Sequence, residues 1–141
     1  MTKALKKRLD YIPLLILAIS AFYTLWVYFD EHVQIKWQHI LGFCMIVISG
    51  IIFFINHKLG VLFLGLTIII GLVGLISLNP GLTTATIGKS IDGESITFLR
   101  FQPIFILWAT IHFLISGRFY TGIANAKYWS NIKSEEPFRI D

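Results

Sequence analysis

The sequence predicts an all-α integral membrane protein: a four-transmembrane-helix bundle with both termini cytoplasmic and a short extracytoplasmic β-hairpin-like loop between helices 3 and 4. Three observations carry that expectation. The 141 residues are 55% hydrophobic and only 14% charged, against roughly 25% charged in a soluble domain, with a mean hydropathy of +0.72. Four long stretches contain no Asp, Glu, Lys or Arg. The basic residues that flank those stretches fall unequally on the two sides. This composition excludes a disordered chain, a disulfide scaffold and a multidomain soluble enzyme.

The four stretches are residues 11–29, 37–57, 59–78 and 101–117, which are 19, 21, 20 and 17 residues long. A helix crossing a hydrocarbon core about 30 Å thick needs roughly 17–25 such residues. Pro13 and Pro103 sit in the first turns of the first and last spans, where a missing N–H costs little. Asn79-Pro80-Gly81 supplies the stop after span three. Lys58 marks a tight turn between spans two and three, and His57 is read as a helix-end residue. The chain forms a single domain of spans, an outer loop over 79–100 and an interfacial tail over 118–141.

Charge sets the orientation. Of the 12 Lys and Arg residues, nine lie on the side of the N-terminus and three (Lys36, Lys89 and Arg100) on the other. That is a positive-inside bias, and it predicts a bacterial cytoplasmic membrane protein with both ends inside. The same bias explains the net charge of +4 and the pI near 9.3, so anionic headgroups, not nucleic acid, are the expected partner of the basic ends. The first apolar run is long and ends in bulky Trp26-Val27-Tyr28-Phe29, which argues for an uncleaved first span over a signal peptide. The single cysteine, Cys44, falls inside span two and is read as a packing residue.

Small and polar residues mark the expected contact seams. In span four Gln102, Phe105, Ala109, His112 and Ser116 recur at alternating spacings of three and four, and so share one face. Leu17, Ser20 or Ala21, Thr24 and Tyr28 do the same on span one, and Gly42, Met45 and Ser49 on span two. Gly60, Gly71 and Gly74 gather on one side of span three, with Gly65 pointing elsewhere. Gln102, Ala109, His112 and Ser116 are therefore the candidate path or helix-contact residues, with His112 the most notable.

No nucleophile–base pair, paired carboxylates or cofactor motif is legible, and no enzyme, metal or cofactor is expected. His39 and His112 differ in depth by roughly 13 Å at 1.5 Å per residue, which argues against a shared haem. Asp30, Glu31, His32 and His39 do not form a recognised zinc spacing.

Asp92-Gly93 is a hairpin signal flanked by β-favouring residues. A turn there pairs Ile91 with Glu94, Lys89 with Ile96 and Ile87 with Phe98. Ile87, Lys89, Asp92, Glu94, Ile96 and Phe98 are thus the candidate partner-binding loop. In the tail, Phe119, Ile123 and Ala126 share a face, and Tyr128-Trp129 suits an interfacial anchor. The expected role is a non-enzymatic accessory, assembly or immunity-type subunit. Its partners would be membrane lipids and another membrane or extracytoplasmic protein, or a second copy. The alternative is a small oligomeric transporter or channel with a path lined by helix 4.

Overall fold

A computed structural model describes residues 3–31, 35–80, 85–91, 94–121, 123 and 126–130; at 3, 4, 6, 31, 85–91, 94–100, 126 and 130 only the backbone is described. The elements run α1 (Lys3–Leu9), α2 (Ile12–Glu31), α3 (Trp37–Ile55), α4 (His57–Leu72), β1 (Ala85–Ile91), β2 (Glu94–Phe101), α5 (Pro103–Ser116), a 3-10 turn (Gly117–Phe119) and α6 (Ala126–Ser130). Among the described residues two helices are long and apolar enough to cross a membrane: Lys7–Asp30, which takes in the Asp10-Tyr11 turn, and Trp37–Ile55. His57–Leu72 and Pro103–Phe119 are apolar but shorter.

The helices pack α3 on α4, α4 on α5, and α2 against both α3 and α5. Their shared core includes Leu17, Ile46, Phe53, Leu64, Ile68, Phe105 and Trp108. One residue, Asn56, joins α3 to α4. Its extended backbone (φ −151°, ψ 109°) breaks the helix, and its side chain accepts from Leu59 N–H at 3.1 Å as the cap of α4. The chain reverses there because Gly60 leaves room for Phe53: a Cβ at Gly60 would lie 2.7 Å from Phe53 Cα.

The third apolar run departs from expectation. Helix α4 ends at Leu72, not near Leu78. Gly74 adopts φ +78°, its N–H bonds to Gly71 O, and Leu75 N–H reaches back to Ile70 O. This is the Schellman arrangement, which needs a left-handed residue and is cheapest with glycine. Sixteen helical residues span about 24 Å. Residues 73–80 then continue without helix, and Ile76, Ser77 and Leu78 are buried. Helix α5 likewise starts at Pro103, because Phe101 belongs to β2.

Strands β1 and β2 pair antiparallel as a two-stranded sheet. Ile91 lies opposite Glu94 and Lys89 opposite Ile96, but the register shifts between Ile87 and Gly88, so Ile87 pairs with Leu99 instead of Phe98. A glycine in a strand is a frequent site of such a bulge. Asp92 lies outside the described residues, as do Lys133 and the rest of 131–141; for Ile87, Lys89, Glu94, Ile96 and Phe98 only the backbone is described.

Candidate functional site

Two polar clusters sit at opposite ends of the helices. At the first, the Asp10 carboxylate is fully buried in the turn between α1 and α2. It receives Ser116 Oγ on one oxygen at 2.9 Å and His57 Nε2 on the other at 3.0 Å. Arg118 pairs with that second oxygen. The cluster joins the start of α2, the first residue of α4 and the end of α5. A carboxylate just before a helix and a guanidinium just after one also complement the helix dipoles. Ser116 faces the carboxylate and not the imidazole, so these three side chains do not form a hydroxyl–base relay.

One turn deeper, His112 is buried with Nε2 2.7 Å from Tyr120 Oη. The Tyr120 hydroxyl donates to Val61 O at 3.0 Å. The phenol has one proton, so the Nε2–H tautomer of His112 completes this chain. Tyr120 folds back beneath α5 onto Gly65, which is buried and not turned away as its spacing suggested. That close approach is the reason for a glycine there. Between the ends, Ser49 and Thr67 bond back to Met45 O and Phe63 O on their own helices, and their hydroxyls lie 3.4 Å apart.

At the second end, side chains from α2, α3 and the residue that caps α5 satisfy the unwound 73–80 backbone. Gln102 Nε2 donates to Ile76 O at 2.8 Å, and Gln102 N–H takes Leu72 O at 3.0 Å. Thr24 Oγ1 and Ser20 Oγ reach Leu78 O at 2.6 and 3.0 Å. His39 Nε2 meets Asn79 O at 2.8 Å while its Nδ1 accepts from Lys36 N–H. Ser77 N–H donates to Gln38 O. Backbone that leaves a helix in an apolar interior requires such partners.

The structure thus buries Gln102, His112 and Ser116 and half-buries Ala109, and it commits the three polar ones to different partners. Asp10, His57 and Lys58 are all buried; His57 and Lys58 open α4 directly after the Asn56 break, at the helix end and turn that the sequence marks. Nothing local in the sequence singles out Asp10; its burial shows in its bonds to residues 47, 106 and 108 positions away. In the tail Phe119 and Tyr128 are buried, whereas Ile123 is exposed. Tyr128 Oη donates to Phe119 O, and Trp129 Nε1 to Ile123 O at 2.9 Å.

Lys58 lies in the first turn of α4 with Nζ 4.0 Å from the centre of the Tyr128 ring. Among the described residues its ammonium has no hydrogen-bond partner. Lys58→Met is expected to leave stability at pH 7 equal or higher, because an apolar side chain of similar length replaces a buried ammonium that lacks a hydrogen-bond partner among the described residues. Thermal unfolding in detergent checks this; a clear loss of stability contradicts it.

Among the described residues no group of three or more His, Cys, Asp or Glu side chains could hold a metal ion. The fold and these clusters define a helical protein whose interior is polar at both ends and whose two longest helices have membrane length. No protein-family model, curated protein or solved structure matches the chain.

Proposed function

We propose that this chain is a multi-pass protein of a bacterial cytoplasmic membrane, with both termini inside, that serves as a non-enzymatic accessory, assembly or immunity-type subunit by binding a protein partner. The observation that carries the membrane reading is an inverted distribution of polarity. Phe22, Trp26, Phe29, Phe54, Ile55 and Leu114 are 71–91% exposed, whereas Asp10, Thr24, His39, Ser49, Lys58, Thr67, Gln102 and His112 are buried. Water would penalise that arrangement, and lipid favours it. Helix α4 with its bonded extension over 73–80, and α5 with the 3-10 turn, serve as the third and fourth spans.

Two features support partner binding over chemistry or transport. The Gln102, His112 and Ser116 side chains are occupied by Ile76 O, Tyr120 and Asp10, which disfavours a path along α5. Among the described residues the β1–β2 sheet has two strands, so each strand has an outer edge to which a partner strand could add. On this reading the hairpin lies outside the membrane.

A photoreactive amino acid in place of Lys89, irradiated in native membranes, is expected to capture one defined protein. Failure to recover any specific protein, together with solute flux in proteoliposomes that His112→Ala abolishes, would replace this reading with the channel alternative. Labelling of Lys89→Cys by an impermeant thiol reagent in a Cys44→Ser background tests the orientation. Protection of that cysteine in intact cells contradicts it.

A further inference from the structure

Helix α6 has five residues, too few to be stable as an isolated helix. Its place therefore depends on what its side chains reach. Tyr128 is fully buried, and its Oη donates to Phe119 O. Trp129 Nε1 donates to Ile123 O at 2.9 Å. Both acceptors belong to the segment after α5, so these bonds fold the tail on itself. The Tyr128 ring meets the bundle at the first turn of α4, with its centre 4.0 Å from Lys58 Nζ.

Two effects oppose each other at that contact. The ring face attracts the ammonium. Desolvation works the other way, because an ammonium has three donors that water would satisfy. Lys58 is fully buried, and its Nζ has no hydrogen-bond partner among the described residues. The buried carboxylate at this end, Asp10, is taken by His57, Ser116 and Arg118. The docked position of α6 is thus opposed by the group that it covers.

We propose that α6 is a reversible cover over the start of α4. Docked, Tyr128 seals the Lys58 ammonium; lifted, it admits water to Lys58 while the long helices stay packed, a local opening of low cost. Tyr128 biases the cover closed and Lys58 biases it open.

Acetylation of the detergent-solubilised protein, followed lysine by lysine by mass spectrometry, tests the cover. Lys58 should react at least about tenfold more slowly than Lys36, which is exposed. Tyr128→Phe keeps the ring and loses one hydrogen bond, which should speed Lys58 about fivefold. Tyr128→Ala should bring it toward the Lys36 rate. Ser49 is fully buried between α3 and α4, so Ser49→Cys in a Cys44→Ser background should stay unreactive to maleimide in all of them.

Three results overturn the cover: Lys58 as reactive as Lys36 in the unaltered protein, Lys58 still protected in Tyr128→Ala, or Lys58 and Ser49→Cys becoming reactive together. Trypsin cleavage after Lys127 tests the opposing bias, since the cut requires α6 to leave its place. Lys58→Met should slow it. An equal or faster cut would show that the ammonium does not oppose docking.

Discussion

Replacing Asp10 with alanine is expected to cost about 3–5 kcal/mol of stability, the range for breaking a buried charge pair by removing one partner. The carboxylate is fully buried and serves Ser116, His57 and Arg118 together. Its loss removes an acceptor from three donors at once, and those of Ser116 and His57 are buried where water cannot replace it. Asp10→Asn should fall between wild type and alanine, because an amide keeps one acceptor oxygen but turns an N–H₂ toward another donor. Arg118→Ala should cost less than Asp10→Ala: its side chain is 29% exposed, and the carboxylate keeps two donors. The double variant should cost less than the sum, with a coupling of about 0.5–3 kcal/mol. Unfolding in mixed detergent micelles at pH 7 gives all four values. A loss under about 1 kcal/mol for Asp10→Ala would mean that the cluster does not hold the helix ends together.

That cluster also shows where the sequence stops being informative. Freedom from charge over 18 or more residues reports a local property, so the two longest helices were legible from composition alone. The 102/105/109/112/116 spacing is local too, and it marks a face that the structure turns inward, Ala109 only partly. Asp10 was not legible, because Lys3-Ala4-Leu5-Lys6-Lys7-Arg8-Leu9-Asp10 reads as an ordinary polar flank. What buries it is a set of partners that converge only in three dimensions. The end of α4 lies between these cases. Asn79-Pro80 attracted attention as a stop, but Gly71 and Gly74 were the local signal, and the apolarity of Leu75, Ile76 and Leu78 masked it. Hydropathy measures the solvent a segment prefers. It does not measure whether the backbone within that segment is helical.

Gly42→Ala is expected to be the second most damaging of these changes, because α3 packs against bare backbone at that point. A Cβ on Gly42 would lie 2.7 Å from Ser77 O and 2.9 Å from Leu78 Cδ2. The side chain of Leu78 could move aside; the Ser77 carbonyl could not without shifting the whole 73–80 segment. That segment is held by Gln102 on Ile76 O, by Thr24 and Ser20 on Leu78 O, and by His39 on Asn79 O. Losing two of those partners at about 1–3 kcal/mol for each buried orphan predicts a cost of about 2–6 kcal/mol. Gly50→Ala is the internal control: it sits in the same helix with nothing within 4 Å of its added Cβ. There the gain in helix propensity, up to about 1 kcal/mol, should leave stability equal or higher. Thermal unfolding of both variants in one detergent separates packing from propensity. The double variant Gly42→Ala/Leu78→Ala then identifies the obstructing group. If the smaller side chain restores the stability lost in Gly42→Ala, the conflict lies with Leu78, and the close approach of α3 to the Ser77 carbonyl is not what requires glycine at position 42.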